Sequence, residues 1–185
     1  MVRLDVITTR GGDGGDTSLG DGTRVRKDAL RIETIGAVDE TNSVLGLIRL
    51  HTMGEEDEML ARLQNDLFDL GADLSVPGES EGRTRLRITD AQLLRLEAEV
   101  AAMNAELPAL RSFVLPGGAP AAAYAHLART AARRAERCAV RLAAAEPVSP
   151  NVLRYLNRLS DHLFVLSRAL NMGGQLDVLW VPGGA

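Results

Sequence analysis

The chain has 185 residues and a formal charge of −4, from 21 Lys+Arg against 25 Asp+Glu. That length suits one domain with a real core, and 45% hydrophobic residues are too many for a disordered chain. The slight acidity argues against a nucleic-acid binder, and a lone cysteine, Cys138, excludes an intrachain disulfide framework or a multi-Cys zinc site. No uncharged apolar run reaches the ~18 residues of a membrane span, and Met1 to Arg10 lacks the apolar core of a signal peptide. The expectation is a soluble cytoplasmic protein. Twenty of the 21 basic residues are Arg. The only lysine, Lys27, is followed by Asp28, which excludes a Walker A loop.

Five helices are expected in chain order. The first runs from about Asp28 to Met53, with Leu30, Val38, Leu45, Leu47 and Ile48 at helical spacing. Asp28 is its expected N-cap and Gly54 its end. The second runs from Glu55 to Ser75, with Leu60, Leu63, Leu67, Leu70 and Leu74 on one face. A polar break, Val76 to Ile88, follows. The third starts at Thr89, where Thr89 and Gln92 match a capping box, and ends near Glu106. The fourth, Ala119 to Ala145, has alanine at 13 of its 27 positions, so neighbours can approach it closely. The fifth, Ser149 to Met172, has Pro150 near N1 and Leu153, Leu156, Leu159, Leu163, Leu166 and Leu170 on a broad apolar face; Gly173 and Gly174 stop it. Strand-like alternation is confined to Leu4 to Thr8. The pattern predicts an all-α fold, a five-helix bundle with a glycine-rich N-terminal arm. The arm covers residues 1–27, the bundle 28–175 and a tail 176–185.

Four groups of residues are suited to chemistry. In the arm, glycines from Gly11 to Gly15 let several backbone N–H groups face one anion, with Thr9, Thr17, Ser18 and Arg10 as further donors. On composition alone, a disordered polar terminus competes with this reading. On the fourth helix Arg129, Arg133, Arg137 and Arg141 recur at i+4 and form a stripe, flanked by Arg134 and Glu136. Stacked like charges repel, so carboxylates or a polyphosphate should offset them; a solvated, acid-paired face is the competing reading. On the fifth helix Asn157 and Asp161 lie one turn apart, as a structural hydrogen-bond node or a ligand contact. On the first, Asp39 lies between Ile35, Val38 and Leu45, where a partly buried carboxylate wants a cation. His51, His126 and His162 lack metal-binding spacing. Cys138 beside Arg137 is either an activated thiol or a small core residue.

Six segments, in this order, resemble the PduO-type ATP:cob(I)alamin (corrinoid) adenosyltransferases. They are Thr9 to Gly15 with Arg26-Lys27-Asp28; Gly36 to Ser43; Leu63 to Leu74; Phe113 to Gly118; Ala128 to Arg137; and Leu156 to Asp161. The resemblance implies transfer of the 5′-deoxyadenosyl group of ATP to the cobalt of reduced cobalamin, with triphosphate leaving. It implies a homotrimer with sites between subunits, Mg²⁺ with the ATP, a cob(II)alamin reductase and an adenosylcobalamin-dependent enzyme as partners, and no nucleic acid or membrane. Carried over by motif, Thr9, Arg10, Gly11, Gly12, Thr17, Ser18 and Lys27 hold the triphosphate. Arg133, Arg134, Glu136, Arg137 and Asn157 complete the ATP site. Asp39 pairs with Arg129 across the interface, and Phe113 stands where the cobalt's lower ligand must be lost. Thr41 departs from the family's usual Leu, the loop lacks the family's common lysine, and Trp180 is the one tail aromatic available to adenine. A non-catalytic ATP- or cobalamin-binding carrier or sensor is the second reading. A structural bundle binding acidic proteins is the third.

Overall fold

The computed structural model describes residues 7–78 and 85–184. Most of the Leu4 to Thr8 alternation and part of the Val76 to Ile88 break lie outside them. Five helices form: α1 (Leu30–Arg49), α2 (Glu55–Ser75), α3 (Asp90–Ala105), α4 (Pro120–Ala143) and α5 (Pro150–Leu170). The capping box at Thr89 and Gln92 is present, and Pro150 opens α5. The start of α1 differs from expectation. Its N-cap is Ala29, with no side-chain cap, because Asp28 instead accepts a bond from Arg26 Nε at 3.3 Å. Gly54 does not end α1, which stops at Arg49. Its φ of +62° makes it the turn residue that caps α2, whose first turn holds Glu55, Glu56, Asp57 and Glu58, favourable beside a helix N-terminus.

Cross-helix bonds fix the directions. Glu33–Arg141 and Glu40–Arg134 make α1 antiparallel to α4. Asn42–Gln64 and Arg49–Asp57 do the same for α1 and α2. Glu97–Arg158 and Glu99–His162 make α3 parallel to α5. The core is leucine from α1, α2 and α5 against alanine from α4: Ala122, Ala125, Ala128, Ala132, Ala135 and Ala139 are fully buried. A methyl in place of a larger side chain lets α1 and α5 approach the α4 backbone closely. α3 buries only Leu93 and Leu96 along its length and is held largely by polar bonds. From α3, Gln92 donates to Asp66 Oδ1 at 2.9 Å and Arg95 pairs with Asp66, whose Oδ2 also accepts from Tyr155 of α5 at 2.8 Å.

Two short antiparallel strand pairs appear that the sequence pattern did not predict, one a hairpin and the other closed across α4 and α5. β1 (Asp16–Ser18) pairs antiparallel with β2 (Arg24–Arg26), Thr17 opposite Val25. β3 (Val114–Leu115) pairs antiparallel with β4 (Val178–Leu179). Two- and three-residue strands are too short to show alternation, and each pair borrows its anchor from the bundle. Gly20 N–H donates to Ser75 O at 2.9 Å, and Leu19 is buried. The arm is therefore folded from Asp16 onwards, not a polar tail.

Candidate functional site

The arm closes on itself around its glycines. Asp13 N–H donates to Arg10 O at 3.2 Å, Gly15 N–H to Gly12 O at 3.1 Å, and Lys27 N–H to Gly15 O at 2.9 Å. Arg10 takes a positive φ of 57° and Gly15 one of 86°. Lys27 lies across this loop, its Nζ 2.8 Å from where a Cβ on Gly12 would stand. Arg24, which sequence reasoning missed, clamps the loop: it donates to Gly11 O at 2.8 Å and Ser18 Oγ at 3.2 Å. Thr9, Arg10, Gly11 and Ser18 are exposed; Gly12 and Thr17 are half-buried. The result is an open, cationic, backbone-lined turn, suited to an anion.

A second set lies on α4 and α5. Arg133 and Arg137 are exposed, and Arg137 donates to the Arg133 carbonyl at 3.1 Å. Asn157 donates to Glu136 Oε1 at 3.0 Å, so its partner is Glu136 and not Asp161. Arg134 pairs with Glu40. Arg129 Nε is buried with no partner; burial, and then the charge of Arg133, hold its guanidinium below its ordinary basicity. His126, one turn away and 1% exposed, has neither ring nitrogen bonded. Burial first, then Arg129, pushes its imidazole below the usual range. Asp39 is exposed, not partly buried as expected. It borders an apolar groove of about 460 Å³ between α1 and α2, lined by Ile32, Ile35, Val38, Leu67 and Phe68. Within one chain Asp39 and Arg129 form no ion pair, and no hydrogen bond joins the arm to Arg133, Arg134 or Arg137 among the described residues.

Phe113 is 77% exposed. Its ring meets Trp180 edge-on, with centroids 5.9 Å apart, so the tail places Trp180 beside Phe113 and away from the arm. Trp180 N–H donates to Phe113 O at 2.8 Å, and Ser112 Oγ to Trp180 O at 2.7 Å. Thr41 is buried, but its hydroxyl donates to Ala37 O at 2.9 Å, so this departure leaves no polar group unpaired. Cys138 is a buried core residue with Sγ 3.6 Å from Arg141 Nη2.

The sequence profile described as Cobalamin adenosyltransferase matches residues 7–170. The chain belongs to the cobalamin adenosyltransferase family. It is 50% identical over 181 residues to a Cobalamin adenosyltransferase of Cupriavidus metallidurans, covering 96% of this chain and 95% of the other. It is 49% identical over 188 residues to a Corrinoid adenosyltransferase of Mycobacterium tuberculosis, covering 99% and 96%. Among solved structures, a phenylalanine-to-histidine variant of the PduO-type ATP:corrinoid adenosyltransferase of Lactobacillus reuteri, complexed with cobalamin and ATP, superposes with a TM-score of 0.87 at 33% identity over 95% of this chain and 96% of that one. An arginine-to-lysine variant of the same enzyme with ATP gives 0.85 at 33% identity, covering 94% and 99%. This adenosyltransferase is thus an enzyme moving the adenosyl group of ATP to cobalamin; every relative cited carries a transferase name, and none favours the carrier. No helix among the described residues is long and apolar enough to cross a membrane.

Proposed function

We propose that this adenosyltransferase builds its site from two half-sites carried by two copies of the chain. Thr9, Arg10, Gly11, Gly12, Thr17, Ser18 and Lys27 form the first half and bind the triphosphate. Arg133, Arg134, Glu136, Arg137 and Asn157 form the second and complete the ATP site. One observation carries this reading. Half-buried Arg129 keeps a buried, unpaired Nε while Asp39 stands exposed beside an apolar groove, and a donor withdrawn from water without an acceptor is costly. A carboxylate from a second copy removes that cost, so Asp39 pairs with Arg129 across the interface of a homotrimer, where closed cyclic symmetry repeats the same contact.

Cob(I)alamin is itself the nucleophile, so the reaction needs no general base. Its two electrons form the cobalt–C5′ bond as the C5′–O bond breaks, and triphosphate leaves with that electron pair. The arm and the arginines hold C5′ in line and stabilise charge on the leaving triphosphate. Among the described residues no group of three or more His, Cys, Asp or Glu is placed to hold a metal. Mg²⁺ needs only one or two carboxylates when phosphate oxygens and water complete its shell, so it enters with the ATP and adds charge to that stabilisation. Phe113, apolar and exposed, occupies the cobalt's lower side and excludes a donor there, which makes Co(II) easier to reduce. A cob(II)alamin reductase supplies the electron and an adenosylcobalamin-dependent enzyme takes the product, in the cytoplasm.

Complementation tests the two-half site. Asp39→Ala and Arg133→Ala each abolish most activity alone. Co-expressed, they form mixed trimers in which about a quarter of interfaces join two intact halves, so that fraction of activity returns. No recovery in mixed trimers, or full activity in a sedimenting monomer, sinks the reading.

A further inference from the structure

Phe113 is mostly exposed, yet the turn that follows its strand is tied to a buried polar node through Gly117 and Ala119. Arg168 and Asp177 pair at 2.8 Å, with side chains 5% and 4% exposed. Arg168 Nη2 also donates to Pro108 O at 2.8 Å. Asn171, fully buried, accepts from Ala119 N–H at 2.9 Å and donates to Gly117 O at 3.3 Å and Asp177 Oδ1 at 3.2 Å. The node thus joins four segments: the start of the α3–α4 connection, the turn after Phe113, the end of α5, and the tail. Gly118 is shaped to it. Its φ is +88°, and a Cβ there would fall 2.1 Å from Asn171 Oδ1. Both strands of the β3–β4 pair adjoin the node, β3 through Gly117 and β4 through Asp177. The family match ends at residue 170, so Asn171 and Asp177 lie past it.

We propose that Asn171, acting with Arg168 and Asp177, is the positioning residue for Phe113, and through it governs loss of the cobalt's lower ligand. The inference rests on the reading of Phe113 given above. Asn171 touches neither substrate. It fixes where the β3–β4 pair sits, and the pair fixes the Phe113 ring. Loss of its amide frees the Gly117 carbonyl and the Ala119 N–H together, and the ring moves with the turn. Misplacement by about 1 Å costs on the order of a hundredfold in a positioned step. Only the step that removes the lower ligand needs Phe113, so the loss falls on the reaction from Co(II).

The test compares Asn171→Ala, Ser112→Ala and Phe113→Ala in the full-length protein with ATP. Each is assayed from cob(II)alamin plus reductant and from prereduced cob(I)alamin, and the absorbance and paramagnetic resonance of bound cob(II)alamin report the fraction lacking a lower ligand. Trp180 is the chain's single tryptophan, so its emission reports the tail directly. Asn171→Ala is expected to red-shift Trp180, shrink the ligand-free cob(II)alamin fraction, and slow the Co(II) assay at least about tenfold more than the Co(I) assay. Ser112→Ala, which removes only the bond to Trp180 O, gives a smaller change in the same direction and decides the matter where Asn171→Ala does not fold. Equal losses in both assays for Asn171→Ala or Ser112→Ala, with a selective loss in Phe113→Ala, overturn the positioning role alone. Equal losses in Phe113→Ala overturn the reading of Phe113, and this inference with it.

Discussion

Gly12 offers a test of the arm that separates geometry from composition. Its backbone has no positive φ, so alanine is conformationally acceptable there. The obstacle is Lys27: an added Cβ would lie 2.8 Å from Nζ and 3.1 Å from Cε, where contact normally begins near ~3.5 Å. The neighbour is the far end of a flexible side chain, so the fold survives Gly12→Ala and the ammonium moves. Gly14 is the control, since a Cβ there meets nothing within 4 Å. Suppose the ammonium retreats from about 4 Å to about 6 Å from a phosphate charge. At an effective dielectric of ~20 the attraction falls from about 4 to about 2.8 kcal/mol, roughly tenfold in Kd. Lys27 is exposed, and solvent screening takes a large part of that. The expected loss of ATP affinity is therefore about two- to tenfold, with a melting temperature close to wild type. Titration calorimetry with Mg·ATP, run beside Gly14→Ala, reads it. If both variants bind ATP like the parent, Lys27 does not face the triphosphate and the arm is not its cradle.

Three further outcomes are expected. Lys27→Arg keeps the charge but replaces a compact ammonium by a broad planar fork, so ATP binding weakens in calorimetry while the fold is retained; wild-type affinity would return the lone lysine to coincidence. His126 is held below its ordinary value of 6.5, so the unfolded chain binds a proton that the folded one resists. Its contribution to stability is full above that value and is lost as pH falls below it, with a limiting slope of about 1.4 kcal/mol per pH unit. His126→Phe, which keeps a ring against Phe164, should flatten the dependence of melting temperature on pH over that window, and an unchanged profile counts against the assignment. Tyr155→Phe removes a buried bond to the Asp66 carboxylate and should cost about 1.5–3 kcal/mol in urea denaturation, with adenosyl transfer per folded molecule unchanged. A selective fall in transfer instead would tie the α3 network to catalysis.

The helices were legible because each carries its own signal. The leucine ladder set the whole span of α2, and Thr89 with Gln92 set the start of α3. Asp28 misled because a good cap residue competes with a neighbouring arginine, and composition cannot say which bond forms. The strand pairs were illegible for a different reason. β1–β2 is held by Gly20 to Ser75, and β3–β4 by Asn171 and Asp177, bonds that join residues far apart in sequence. The site was legible as a set of residue types, through the order of six segments, but not as an arrangement. Nothing local distinguishes Arg24, which clamps the loop, from the other exposed arginines. Spacing did not reveal that Trp180 would meet Phe113, since that contact requires the tail to return across the end of the bundle.

The arginine stripe shows how a uniform pattern becomes several jobs. Spacing makes Arg129, Arg133, Arg137 and Arg141 equivalent, and their mutual repulsion calls for compensation. The fold supplies it unevenly. Arg141 meets Glu33 at 2.8 Å, and neighbouring Arg134 meets Glu40. Arg133 and Arg137 have no ion pair among the described residues, and Arg129 keeps a buried bare Nε. α1 is antiparallel to α4, so the neutralised end of the stripe lies level with the start of α1, next to Lys27. Phe113 and Trp180 lie at the opposite end, where α4 begins. Twenty residues of α1 at ~1.5 Å each put about 30 Å between those ends. The uncompensated charges, Arg129, Arg133 and Arg137, occupy the stretch of α4 between them. Excess positive charge left mid-helix at a cost to the isolated chain is best understood as space kept for the charges that arrive with ATP and with a second copy's Asp39.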